Sequence, residues 1–423
     1  MQGRSPGGAA LTRVDGIEDP AEASSASKPG TLRIHEIFLA FLRLGLTSFG
    51  GPVAHLGYFR EEFVARRKWL GDKTYSDLVA LCQLLPGPAS SQVGIALGIS
   101  KAGLRGGLAA WLGFTLPSAL ALIAFGYGMA GLAGAGEAGV IHGLKVAAVA
   151  VVALAVWGMG KTLCPDAKRA SLAALAALLA LMWPNAAGQL VAIVACGLLG
   201  WRTLSAVVAK PGEPHDFGVT RTTAMIAWGA FFGLLIALPL VSRSVHTHVL
   251  ALFDSFYRSG ALVFGGGHVV LPLLRAEVVP RGWIDDSSFL AGYGAAQAVP
   301  GPLFTFAAYL GTVMQPAPNG WIGAILCLVA IFLPSFLLVV GALPLWEELR
   351  RRHKIQAALT GINAGVVGLL LAAFYDPVWT SAIHSHADFG LALIAFLLLA
   401  WWKVSPVIVV VLSAAGGWLI SLI

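Results

Sequence analysis

The chain carries one unusual pattern twice. Phe41-x-Arg43-x-Gly45-x3-Phe49-Gly50-Gly51 recurs as Phe256-x-Arg258-x-Gly260-x3-Phe264-Gly265-Gly266, and the same offset pairs Arg60 with Arg275 and Glu62 with Glu277. Gln83-x-x-Pro86-Gly87-Pro88 returns as Gln297-x-x-Pro300-Gly301-Pro302 at an offset one residue shorter. Further on, Leu116-Pro117-Ser118 matches Leu333-Pro334-Ser335. Common order and nearly constant spacing identify a duplication. Four segments, residues 34–63, 75–100, 250–279 and 289–312, share one form: an apolar helical stretch, a Gly/Pro break and a second short stretch.

These breaks sit in a chain that cannot hide its apolar side chains in a soluble core. It is 57% hydrophobic and 12% charged, against roughly 25% charged for a soluble domain. A spanning helix needs about 20 mostly apolar residues. Candidate spans are residues 107–130, 140–160, 171–183, 187–201 and 222–241, then 320–343, 359–374, 389–402 and 406–423. In hydrocarbon every backbone N–H and C=O needs a partner, so a break at membrane depth is tolerated only where protein buries it or it lines a polar cavity. The expected fold is an all-α polytopic membrane protein of two homologous halves, with broken or re-entrant helices and about 9–13 membrane segments.

The expected domain order is a disordered cytoplasmic tail (1–30), a first repeat (31–201), a linker (202–221), and an additional helix with the second repeat (222–423). The tail is rich in Gly, Ala, Ser and Pro and lacks the basic-then-apolar order of a signal peptide. Cys82, Cys164, Cys196 and Cys327 are scattered without a Cys-x-x-Cys pair and read as apolar fillers. No metal site and no cofactor are expected. His246/His248 and His384/His386 read as loop residues.

The net charge of +7 reads as cytoplasmic Lys/Arg loops rather than a nucleic-acid footprint. Lys161/Lys168/Arg169, Arg202/Lys210/Arg221, Arg350/Arg351/Arg352/Lys354 and Lys403 all fall inside if single crossings separate them, with Arg243 a lone exception outside. The stretch 60–73 carries +2 and its counterpart 275–286 carries −1. If each broken segment dips in and returns, the first loop stays inside and the second outside. Re-entrant hairpins are therefore expected, with the halves inverted, the N-terminus cytoplasmic and the C-terminus outside. Inverted repeats with broken helices near the midplane are the architecture of many secondary transporters.

A helix that starts inside the membrane presents free N–H groups and partial positive charge, which favours anions. Pro86, Gly87 and Pro88 lead into Ser90, Ser91 and Gln92 and read as such a start. Pro300, Gly301 and Pro302, with Gln297 before and Thr305 after, form a partner with fewer donors. Arg43 and Arg258 lie among apolar residues, and intramembrane charges are functional candidates. Guanidinium binds tetrahedral oxyanions bidentately. The competing reading is structural ion pairing, Glu36 with Arg43 and Asp254 with Arg258. Thr47, Ser48, Gly50 and Gly51 complete the first break, and Gly265, Gly266, Gly267 and His268 the second. Close helix packing is the competing reading for the glycines. Glu62 and Glu277 are candidate proton carriers, or salt-bridge partners of Arg66 and Arg281.

The run from Phe41 to Pro52, the following His55-Leu-Gly-Tyr-Phe-Arg60, and Leu84-Leu-Pro-Gly-Pro-Ala-Ser-Ser-Gln92 closely resemble the chromate ion transporter (CHR) family. Phe264-Gly-Gly-Gly-His268 and Gln297-x-x-Pro-Gly-Pro302 resemble its C-terminal domain, so the chain looks like the long, two-domain form. The resemblance implies efflux of chromate through the bacterial inner membrane, driven by membrane potential or proton gradient, and chromate resistance. Sulfate, a dianion of the same shape, is the natural competitor. The implied partners are a chromate- or sulfate-like oxyanion and the lipid bilayer, with a homodimer an open option and no nucleic acid. A membrane-embedded lipid-handling enzyme is the alternative class. Against it, the chain has no His-Glu-x-x-His, no Gly-x-Ser-x-Gly and no Walker loop, and no enzymatic activity is expected.

Overall fold

The computed structural model describes residues 33–48, 51–131, 137–204, 217–264, 267–345 and 353–422. The expected tail, the centre of the expected linker, Gly50, Gly265, Gly266 and the Arg350–Arg352 cluster lie outside the described residues. All regular elements among the described residues are helical.

The first half opens with α1 (Ile34–Thr47), the break at Ser48, and α2 (Gly51–Phe59), which runs on as a π-helical stretch over Arg60–Arg66. Collinear helices would hold Phe41 and Phe63 about 30 Å apart at ~1.5 Å per residue. Their rings instead stack at 4.7 Å, and Phe41 meets Phe59 edge-on at 5.5 Å. The segment therefore dips in and returns. A short loop leads into α3 (Asp72–Leu84), and the bidentate pair Arg60–Asp72, at 2.7 and 2.8 Å, ties the two hairpins at their charged end.

The helical stretch Ala89–Gly131 is interrupted at Ala102-Gly103, where Gly103 takes φ +61°. The two limbs, residues 89–101 (α4) and 104–131 (α5), pack back against each other. A Cβ added to Gly98 would lie 2.9 Å from Ala110 Cβ, and one on Gly107 would lie 2.8 Å from Ile99 Cγ1. Gly94 of α4 abuts the Phe41 and Phe59 rings, so the second hairpin also returns to the side it entered from. Limbs of 13 or 14 residues are about 20 Å long, too short for the ~30 Å hydrocarbon core. Only α5 crosses.

The second half repeats this plan. After α6 (Glu137–Leu163), α7 (Ala167–Met182), α8 (Ala186–Thr203) and α9 (Arg221–Val245) come α10 (His248–Leu262) and α11 (Val270–Val278). These fold back on one another, with Ser255 Oγ donating to Glu277 at 3.0 Å. Then α12 (Asp286–Ala296) and α13 (Phe306–Val313) form the fourth hairpin, closed by Tyr309 OH to the Ser288 carbonyl at 2.9 Å. The pair Arg275–Asp286, at 2.7 and 2.8 Å, stands where Arg60–Asp72 stands in the first half. Next come α14 (Gly320–Ala342), α15 (His353–Ala373), α16 (His386–Ala400) and α17 (Pro406–Ile420).

Among the described residues five helical stretches are long and apolar enough to cross a membrane, and α8, α13, α16 and α17 lie in shorter apolar helices. Between the two hairpin sets run α5, α6, the antiparallel pair α7/α8, and α9, an odd number of crossings whether or not that pair spans fully. The two sets therefore enter from opposite faces. Small residues let the halves approach: Gly200 faces Gly361 of α15, and Gly143 faces Ala414 and Gly417 of α17.

Cysteine accessibility tests this plan. In a Cys164→Ala background, the other native cysteines being buried, Lys68→Cys and Ala102→Cys should label from one face only. Pro280→Cys and Ala317→Cys should label from the other. Labelling of all four from one side would refute the inverted arrangement.

Candidate functional site

The four hairpin tips meet, and they meet across the halves. The N–H of Gly87 donates to the Val263 carbonyl at 2.6 Å, and the N–H of Gly301 donates to the Ser48 carbonyl at 3.0 Å. Each carbonyl belongs to the end of a half-helix, where the helix itself supplies no partner. The Pro-Gly-Pro sequence explains the donor: proline has no N–H, so the central glycine alone can supply one. Gly87 and Gly301 also sit at φ +120° and +97°, a region that favours glycine. Behind each glycine stands the Leu-Pro-Ser motif of the opposite half. A Cβ on Gly301 would fall 2.9 Å from Ser118 Oγ, and one on Gly87 would collide with Ser335 Oγ.

Polar side chains gather at the first-half tips. His55, buried on α2, bridges the Ser48 carbonyl (3.2 Å from Nε2) and Ser90 Oγ (3.3 Å from Nδ1). Gln92 Nε2 donates back to the Pro86 carbonyl at 2.6 Å. The hydroxyls of Ser48, Ser91 and Ser335 and Oε1 of Gln92 are buried with no hydrogen-bond partner among the described residues. They surround the start of α4, whose first-turn N–H groups are free by helix geometry. The second-half counterpart is different. Thr305 Oγ1 donates to the Pro302 carbonyl at 2.7 Å, and its half-helix begins with a 3-10 turn over Leu303–Thr305. His268 is held by Tyr293 OH at 2.9 Å. Pro86, Pro88, Pro300 and Pro302 frame the two glycines, and Gly51 opens α2 at φ +77° with open space around it. Gly267 begins the 3-10 turn that leads into α11.

The two arginines differ. Arg258 is held by Asp254 and Glu277, each at 3.0 Å, and Glu277 also binds Arg281 at 2.9 Å. Arg43 is exposed on α1 beside Thr47, whose hydroxyl caps the Arg43 carbonyl at 2.9 Å. Its side chain makes no ion pair among the described residues, and Glu36 instead accepts from the Arg33 N–H. Two substitutions between the halves account for this. Leu39 stands where the second half has Asp254, and Arg67 stands beside Glu62 where the second half has Gly282. Glu62 is consequently saturated by Arg66 at 3.0 Å and Arg67 at 2.6 Å. Outside the membrane, the Arg60 guanidinium holds the Asp72 carboxyl below the usual carboxylate range, so this strap persists at neutral pH and releases only in acid.

Sequence reasoning missed His55, Ser335 and Tyr293 as members of the site. A lone histidine four residues past a glycine break was the available signal for His55. The repeated Leu-Pro-Ser motif was the available signal for Ser335, and nothing local marks Tyr293, whose partner lies in another hairpin.

Removing one member of a buried ion network leaves the rest uncompensated, at a cost on the order of 3 kcal/mol. Arg258→Ala should therefore lower the unfolding midpoint of the purified protein markedly. Arg43→Ala, which breaks no ion pair, should change stability by no more than about 0.5 kcal/mol. Equal losses in denaturant titrations would contradict the asymmetry.

A family model described as "Chromate transporter" matches residues 35–201 and 250–418, one stretch in each half. The chain is 30% identical to a chromate transport protein of Pseudomonas aeruginosa, covering 94% of this chain and 95% of that one. It is 28% identical to a chromate transport protein of Cupriavidus metallidurans, covering 96% of each. It is also 28% identical to a probable chromate transport protein of Synechococcus elongatus, covering 89% and 93%. No solved structure matches the chain. With both halves matched and crossed tips at their centre, the chain belongs to the chromate transporter family.

Proposed function

We propose that this protein is a secondary transporter that exports chromate from the cytoplasm, driven by the membrane potential or the proton gradient, and so confers resistance to it. The observation that carries this reading is the meeting of inverted hairpin tips beside the start of α4, where the Ser48 and Ser91 hydroxyls lack partners. Free N–H groups and hydroxyls complement a tetrahedral dianion, and Arg43, the guanidinium left without a carboxylate, supplies attraction along the approach. Because Thr305 is committed to its own turn, the first half holds most of the anion. Hairpins entering from opposite faces act as two gates on one site, the logic of alternating access. Glu62 and Glu277, buried and saturated by guanidinium groups, would carry protons by releasing those partners when protonated.

Loop charge supports an N-terminus inside and a C-terminus outside, in a bacterial inner membrane. The names of the relatives support chromate as cargo. Sulfate, of equal charge and shape, is the expected competitor.

Everted membrane vesicles decide the matter. Labelled chromate should accumulate only when the membrane is energised, and excess sulfate should compete. Arg43→Ala and Ser91→Ala should each lower the initial rate about tenfold, corresponding to loss of one charge-assisted or one neutral contact, ~1.4 kcal/mol. Uptake that survives an uncoupler, or normal transport by both variants, would overturn the reading.

A further inference from the structure

At the seam between the halves, α5 and α14 leave a cavity of about 420 Å³. Its walls are Leu104, Leu108 and Trp111 of α5 and Val329, Phe332 and Phe336 of α14. Leu104, Leu108 and Val329 are 45%, 47% and 41% exposed, so the cavity opens outward towards the bilayer and not into the core. One cation lines it. Arg105 stands on the first turn of α5, exposed, with no ion pair among the described residues. Lys101, on the last turn of α4 across the helix reversal, is half-buried nearby in sequence and adds to the positive charge of this end. About 9 Å deeper along α5, the indole N–H of Trp111 is buried without a hydrogen-bond acceptor among the described residues.

We propose that this groove binds an anionic phospholipid, with its phosphate on Arg105 and one acyl chain along the cavity. Charge and polarity decide the occupant. A groove apolar along its length and cationic at one end matches an amphiphile with an anionic head. A neutral hydrocarbon would leave Arg105 unmatched, and a free anion held at Arg105 would leave the apolar length of the groove and the deeper Trp111 N–H unfilled. The start of α5 adds its own partial positive charge for the phosphate. The acyl ester supplies an acceptor at a depth the Trp111 N–H can reach. Because one wall comes from each half, the bound lipid contacts both and stabilises their seam. Lipid at this position is independent of the cargo, so the proposal stands or falls apart from chromate transport.

The test is the thermal unfolding midpoint of the detergent-purified protein with phosphatidylglycerol, phosphatidylcholine or inorganic phosphate added. Phosphatidylglycerol should raise the midpoint more than phosphatidylcholine, and inorganic phosphate should leave it unchanged. Arg105→Gln should erase the difference between the two lipids while keeping the lipid-free midpoint. Leu108→Trp, which fills the cavity, should abolish the shift, and Val329→Trp on the facing wall repeats the test if the first variant disturbs folding. Retained selectivity in Arg105→Gln would overturn the proposal. So would a shift from phosphate alone, which marks a free-anion site, or an undiminished shift in folded groove-filled variants, which marks adsorption elsewhere.

Discussion

A helix that stops inside a bilayer leaves its last carbonyls without water, and each such group costs several kcal/mol if nothing else pairs with it. In this protein two such ends, at Ser48 and Val263, are closed by the glycine N–H groups of Gly301 and Gly87. In both bonds the donor belongs to one half and the acceptor to the other, while His55 adds a second contact to the Ser48 carbonyl from within the first half. The hairpins, their inverted entry and the position of the central site all depend on that exchange. It also explains why one break in each half contains a glycine between prolines: that residue supplies both the donor and the left-handed backbone.

Around this symmetric frame the polar groups are unequal. Among the described residues, the first half places a helix start, unpaired hydroxyls and an arginine without an ion pair where the second places a 3-10 turn, a committed threonine and a neutralised arginine. Duplication supplied two copies of the scaffold, and single changes such as Leu39 against Asp254 divided their roles. One copy retains groups able to attract an anion. The other uses equivalent residues to brace its hairpin.

Much of this was legible in the residues. The repeated Phe-Gly-Gly and Pro-Gly-Pro segments marked the four breaks, and loop charges of +2 and −1 favoured hairpins that return. The stacking of Phe63 on Phe41 agrees with that reading. Candidate spans such as 140–160 and 320–343 fall within α6 and close to α14, since long apolar runs signal helices regardless of neighbours. The reversal at Ala102-Gly103 was harder to see, because a two-residue turn barely interrupts the apolar pattern. The fate of the arginines was legible only for Arg258, whose Asp254 lies one helical turn away.

By itself the sequence determined that the chain lies in a membrane, that it is built twice, and where each copy breaks. Those properties follow from hydropathy, periodicity and the local chemistry of glycine and proline, all of which act over a few residues. Tertiary structure alone decided which breaks touch, that His55 bridges Ser48 and Ser90, and that Arg43 is left without a carboxylate. These relations join residues far apart in the chain, in two cases from opposite halves. They arise because lipid offers no hydrogen bonds, so every interrupted helix must find its partner within the protein.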